Sequence, residues 1–381
     1  MNKIISLTDV RKLVNDYIGR VIHKKQSESL SNAVFAAMMS PRLGISALGR
    51  LYAQLTGKCP KHTIKQMDKL IGNTKISITD VLYEHVHIAV AQRKAIVTTF
   101  DWTDYDYSDQ SRIAINMLSR HGRATPLVWL TVKKSGLKKH RTAYEKKALR
   151  LLKECLPEDV HVTVLADRGF CSTTLFKYIQ KTLKWDFVIR LRGNVRFFDD
   201  DSYSYGPLIS SLRLIRGGKI RHFSMVELTA RKYAVKSLVA VHAKEMKEPW
   251  YLASTLVQPE SIVKLYGRRF TCEEQFRDEK DDRFGQGTKE IKAGTLHRRD
   301  MLTLVHTIAT FFLTIIGEAG ERLGYHKKLQ ANTVKQRTHS LYRQGREYCR
   351  GVMKDYVTVF RRMIETVLEE HRKCKEIYGV I

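Results

Sequence analysis

The sequence predicts an α/β fold, with a sheet-forming centre set between two helical regions. Three observations carry this. Residues 1–92 place their apolar side chains at helical spacing. Near residue 94 the apolar pattern changes to short β-rich runs, beginning with "KAIVTTFDW". From 295 onward the pattern is helical again to the end. The chain has 381 residues, enough for two or three domains with substantial cores.

In the first region, "LSNAVFAAMMS" and "GISALGRLYAQL" read as two apolar-faced helices, separated by Pro41 and Gly44. "KCPKHTIKQMDKLIGN" gives a third, with Pro60 near its start and Gly72-Asn73 closing it. Its inner face is Ile64, Met67, Leu70 and Ile71, and His62, Lys65 and Lys69 lie outward. Three short helices with a basic outer strip suit a helix-turn-helix-like DNA-binding unit; they also suit an ordinary basic helical domain. The centre then runs through three strands turned at His121-Gly122-Arg123, a helix at "RTAYEKKALRLLKECLPE", the strand "VHVTVLADRGF", the helix "STTLFKYIQKTL" and the strand "DFVIRLRG". The order β-β-β-α-β-α-β is the layout of an RNase H-like core. Residues 195–249 break the rhythm as a β-rich insertion that extends the sheet, followed by "EPWYLAST".

Composition narrows the partners. Lys and Arg number 67 against 39 Asp and Glu, a formal net charge of +28 spread along the chain. Such a field favours a polyanion, nucleic acid first and an acidic membrane surface second. The best apolar run, "MLTLVHTIATFFLTIIG" at 301–317, is too short to span a bilayer and reads as a buried core helix. "MNKIISLTDVRKLVNDY" puts polar residues where the apolar core of a signal peptide would fall. The six cysteines, at 59, 155, 171, 272, 349 and 374, show no CxxC pair and read as reduced thiols of a cytoplasmic protein without a zinc site. Cys272, beside Glu273, reads as a packing thiol rather than a nucleophile.

The stretch "YGRRFTCEEQFRDEK" at 266–280 concentrates charges of both signs behind a tyrosine. As one helix it projects Tyr266, Arg269, Glu273 and Lys280 within a sector of roughly 60°. That arrangement suits a solvated helix held by i,i+4 ion pairs, or an acidic catalytic residue set in a phosphate-binding strip. Two aspartates favour the second reading. Asp101 follows "AIVTTF" and Asp167 follows "VTVLA", where apolar strands give way to polar chain and where open α/β-type sheets place reactive groups. Strand-end aspartates are also common turn formers, and Asp104, Asp106 and Asp109 remain alternatives to Asp101. Phosphodiester cleavage must activate water or a 3′-hydroxyl and stabilise the leaving oxygen. Two Mg²⁺ ions about 3.5–4 Å apart do both, and such hard cations prefer carboxylate oxygens.

The 266–280 segment fits Y-x2-R-x3-E-x6-K, and with "TFDWTDY", "SRHGR", "EPWYLAST" and "LQANTVKQR" it resembles the cut-and-paste DDE transposases of bacterial insertion sequences. More narrowly it resembles the insertion-sequence-four family, which holds the Tn-five and Tn-ten types, the Tn-ten-like branch being nearest. The resemblance runs from about residue 60 to 345. It implies that Asp101, Asp167 and Glu273 bind Mg²⁺, with Mn²⁺ substituting, and that Tyr266, Arg269 and Lys280 bind phosphates near the cleavage site. It also implies that Trp250 holds a base flipped out when a DNA end closes into a hairpin. The implied organisation is a helical DNA-end-binding domain at 1–92 using Lys65 and Lys69, an RNase H-like catalytic core at 93–325 interrupted by the 195–249 insertion, and a helical C-terminal region at 326–381 serving dimerisation. The implied partners are double-stranded DNA, as terminal inverted repeats and target, and a second copy in the DNA complex. No membrane is involved, and the location is cytoplasmic, at the bacterial nucleoid. Rival readings are an RNase H-fold nuclease without strand joining, a catalytically silent transposase-derived DNA-binding protein, and a metal-independent tyrosine recombinase acting through a residue such as Tyr342.

Overall fold

The computed structural model describes residues 4–105, 108–119, 121–199, 206–281, 285–335, 337–351 and 357–373. Asp106 and Cys374 lie outside them.

The first region holds five helices: α1 (Leu7–Ile18), α2 (Lys24–Met39), α3 (Ile45–Thr56), α4 (Pro60–Ile71) and α5 (Ile78–Val90). Helix α1 starts in a capping box, in which Ser6 Oγ accepts from the Asp9 amide at 3.2 Å and Asp9 Oδ2 accepts from the Ser6 amide at 2.7 Å. Helix α2 is buried from Leu30 through Met39, because α1, α3, α4 and the later helix at Leu296–Arg322 all pack on it. Helices α3 and α4 cross at Gly49, where a Cβ would lie 2.5 Å from the Ile64 Cα. This crossing adds Thr63 to the inner face expected of α4. Thr63 is buried under α3, its Oγ1 donating to the Gly49 carbonyl at 2.8 Å, while Ile64 is only half-buried.

The central region contains β1 (Ala95–Tyr105), β2 (Gln110–Met117), β3 (Thr125–Lys133), α6 (Arg141–Cys155), β4 (His161–Ala166), α7 (Thr173–Lys177) and β5 (Asp186–Arg190). The insertion supplies β6 (Phe197–Phe198), β7 (Arg221–Leu228) and β8 (Tyr233–Val241), and β9 (Trp250–Ser254) follows it. All nine strands join one sheet in the order β3-β2-β1-β4-β5-β9-β8-β7-β6. β1 pairs in parallel with β4, and β4 with β5, while β2 and β3 run antiparallel on the far side of β1. This mixed sheet is compatible with an RNase H-like core, and the insertion lengthens it from β9 outward.

The segment expected as one helix over 266–280 is two. Helix α8 (Pro259–Gly267) gives way to a 3₁₀ turn at Arg268–Phe270, and α9 (Thr271–Lys280) follows. A tighter turn rotates side chains about 20° more per residue than an α-helix, so Tyr266 does not share one straight face with Lys280. The remaining helices are α10 (Leu296–Arg322), α11 (Leu341–Cys349) and α12 (Val357–Arg372). The 27-residue α10 is long and apolar enough to cross a bilayer, longer than the 301–317 run suggested, yet 89% of its most apolar window is buried. It is the central core helix, with α2, α11, α12 and β3 packed around it. One hydrophobic core runs from Ile4 to Val367.

Candidate active site

The β1–β4 register creates the site. Phe100 pairs with Ala166, so the next residues, Asp101 and Asp167, emerge side by side. Asp101 does not end its strand, as the sequence suggested; β1 continues to Tyr105 because β2 still supports it, with Asp101 opposite Ala114. What ends at Asp101 is the pairing with β4. Asp167 leaves β4 as the cap of a short 3₁₀ turn, its Oδ1 accepting from the Gly169 amide at 2.8 Å. A Cβ at Gly169 would lie 2.9 Å from that oxygen, so a larger residue there would push the Asp167 carboxylate aside.

Helix α9 brings the third carboxylate. Arg269, its side chain 8% exposed, donates through Nη1 to Asp101 Oδ2 at 3.2 Å and through Nη2 to Glu273 Oε1 at 2.8 Å. Burial pushes the Asp101 carboxyl up to about 6; Arg269 opposes that rise, and the charges of Asp167 and Glu273 add to it. Carboxylates that repel one another at a partly buried point have the chemistry of a cation site. Among the described residues, no three His, Cys, Asp or Glu side chains stand close enough together to hold a metal ion.

The other expected residues surround this centre unevenly. Tyr266 is 1% exposed and lies against the Arg269 guanidinium, 5.8 Å from ring centroid to Cζ. Trp250 is half-buried at the start of β9, its ring meeting Tyr266 edge-on at 4.9 Å and lying 5.8 Å from the Phe270 ring. Glu248, just before it, pairs with Arg168 at 3.0 Å and Arg190 at 2.8 Å, which ties this segment to the turn carrying Asp167. Lys280 lies at the far end of α9, its Nζ donating to the Asp104 carbonyl at 2.6 Å. Asp104 itself is paired with Lys134 at 2.7 Å and accepts from Ser111 at 2.7 Å. Asp109 accepts from Ser135.

Lys65 and Lys69 are elsewhere. They are exposed on α4 and, with His62, line a cleft of about 540 Å³ whose other wall is Lys25, Gln26 and Ser29 of α2. Cys272 is fully buried, its Sγ accepting from Asn116 Nδ2 at 3.2 Å, and burial pushes its thiol up to about 12. Tyr342 is 2% exposed and its phenol is likewise pushed up to about 12 by burial. A phenol so enclosed is not placed to attack DNA.

Sequence reasoning missed a cluster beside Asp167. Trp102 Nε1 and Arg141 Nε both donate to the buried Glu145 at 3.2 Å, and the Arg141 guanidinium lies 5.5 Å from the Trp102 ring centroid and 5.7 Å from that of Phe170. Arg141 and Glu145 are an i,i+4 pair on α6, and only the fold sets them beside Trp102 and Phe170.

Residues 127–309 match the family model of the transposase DDE domain, a span that includes Asp167 and Glu273 and begins after Asp101. No curated protein matches the chain. The family match supports a DDE transposase, a class of DNA-binding, divalent-metal-dependent enzymes.

Proposed function

We propose that this chain is a cut-and-paste DNA transposase of the insertion-sequence-four type, cleaving and joining DNA at Asp101, Asp167 and Glu273. The observation that carries the reading is that Arg269 bonds both Asp101 of β1 and Glu273 of α9, while the β1–β4 register sets Asp167 next to Asp101. Those carboxylates would hold Mg²⁺, or Mn²⁺ in its place, and such ions supply an activated oxygen nucleophile and charge stabilisation at the leaving oxygen.

The chain's own groups do the rest. Arg269, which bonds Asp101 and Glu273 here, would be free to turn its fork to a phosphate beside the scissile bond if those carboxylates held a cation instead. Tyr266 backs that fork, and Lys280 holds a phosphate further along the strand. The first cut leaves a 3′-hydroxyl, which attacks the opposite strand to close a hairpin; the hairpin is opened and the 3′ end joins target DNA. A tight hairpin cannot keep every base stacked, and Trp250 takes the base turned out. Residues 1–92 bind the element's terminal repeat through Lys65 and Lys69, 93–325 form the catalytic unit, and 326–381 serve dimerisation on DNA in the bacterial cytoplasm. A plain nuclease shares the metal site but does not join strands. Incubating the protein with Mg²⁺ and DNA from both flanks of its reading frame separates the two: joined products support transposition, and hydrolysed ends alone support the nuclease.

A further inference from the structure

Helix α9 has a weak apolar anchor for an element that carries catalytic groups. Its buried residues are Cys272, Gln275, Phe276 and Glu279. Glu279 stands where a leucine would complete the inner row, and it is charged. Its carboxylate is held bidentately by Arg112 of β2, Nη1 to Oε1 at 2.8 Å and Nη2 to Oε2 at 2.6 Å, with both side chains 2% exposed. The Tyr105 hydroxyl and Thr288 Oγ1 each lie 3.4 Å from Oε1 and donate to it, and Arg112 Nη1 also donates to Thr303 Oγ1 of α10 at 3.0 Å. Arg299, also of α10, closes over the Tyr105 ring at 3.8 Å. One carboxylate thus gathers β1, β2 and α10 onto the end of α9.

A buried ion pair is a poor source of stability, since desolvation offsets most of the attraction, but its two parallel hydrogen bonds tolerate little rotation or slippage. We propose that the Arg112–Glu279 pair is the positioning device of α9, fixing the helix's rotation and height on the sheet so that Glu273 shares Arg269 with Asp101 and Lys280 reaches the Asp104 carbonyl. The inference rests on the reading of Asp101, Asp167 and Glu273 as the catalytic carboxylates. Arg112 and Glu279 are both buried, and they act through the helix.

The test replaces the pair by apolar side chains of similar volume, Arg112→Met with Glu279→Leu, and measures melting temperature, Mn²⁺ binding and DNA cleavage on the full chain. The expected result is a folded protein melting near wild type that binds Mn²⁺ and cleaves roughly tenfold or more weakly, the usual cost of losing an orienting partner. Wild-type Mn²⁺ affinity and cleavage in the double variant would overturn the proposal. If that variant does not fold, Glu279→Gln decides: it keeps the shape and loses one charge-assisted bond, so weakened Mn²⁺ binding in a folded chain supports the proposal and unchanged binding overturns it. A wild type that binds Mn²⁺ without cutting DNA sinks the transposase reading and leaves this one standing. A wild type that takes up no Mn²⁺ sinks both.

Discussion

Arg269 donates to the carboxylate of Asp101 at 3.2 Å across 168 residues of chain. An arginine 8% exposed is a fixed positive charge among three acids, and it holds in place the group that burial and its neighbours push towards protonation. Removing it leaves the acids to repel one another. Arg269→Ala is therefore expected to lower the melting temperature without metal, and to be stabilised by Mn²⁺ more than wild type is, because the cation then does work the arginine no longer does. A melting curve with and without Mn²⁺ checks this. Equal shifts in both proteins would mean that Arg269 and the cation do not share the carboxylates.

Trp250 lies at the edge of the same centre, half-buried, with Tyr266 behind it. Trp250→Ala is expected to nick the first strand nearly as wild type does but to form hairpins poorly. Stacking on an aromatic face returns roughly 1–3 kcal/mol of the cost of the exposed base, so hairpin formation should fall roughly 5- to 150-fold. An abasic site at the flipped position should restore part of it. Nicking and hairpin formation reduced equally, with a lowered melting temperature, would make Trp250 a packing residue only.

Lys65 and Lys69 open onto a cleft that also presents Lys25. Replacing Lys65 and Lys69 by alanine should weaken binding to the element's end and flatten its salt dependence, by about one unit of slope for each phosphate that is no longer neutralised. Binding titrations at several salt concentrations read the slope directly. Weaker binding at an unchanged slope would point to damaged folding instead.

Acid should weaken the folded state through its buried histidines. His85 accepts from the Tyr17 hydroxyl and donates to the Pro126 carbonyl at 2.6 Å; His306 donates to Gln286 at 2.7 Å. Burial pushes both imidazoles down to about 4. The unfolded chain takes these protons near pH 6.5 and the folded chain only near 4, so their contribution is full above 6.5 and is lost as pH falls through that window. Each is worth up to roughly 3 kcal/mol. Asp101 and Asp300, both pushed up to about 6 by burial, act in the opposite sense, so one histidine is isolated by comparing wild type with His85→Gln. Urea midpoints between about pH 7 and 4.5 should fall less steeply in the variant; parallel curves would contradict the assignment.

The succession of strands and helices along the centre was legible because a change of apolar period needs no tertiary knowledge. So was the burial of Cys272, since nothing near it in sequence offered a base. Other features arise only from tertiary contacts. Asp101 could be marked as a place where strand meets polar chain, but its adjacency to Asp167 comes from the parallel register of β1 and β4. The 3₁₀ turn at Arg268–Phe270 was hidden because the composition of 266–280 favours helix throughout. The burial of Arg112 and Glu279 follows from a pairing that no local window contains. Thr63 joins Ile64 at the crossing of α4 with α3 because both lie against Gly49, a contact that no local window contains.

The most direct measurement is Mg²⁺-dependent cleavage of DNA from the flanks of the reading frame by wild type and by Asp101→Asn, Asp167→Asn, Glu273→Gln and Asp104→Ala, with DNA binding measured alongside. Metal ligation serves chemistry, while most DNA affinity comes from phosphate contacts. The first three variants should therefore bind and not cut, and Asp104→Ala, whose carboxylate is already engaged by Lys134 and Ser111, should bind and cut. Full cleavage by any of the first three, or a dead Asp104→Ala beside an active Asp101→Asn, would contradict the site assigned to this fold.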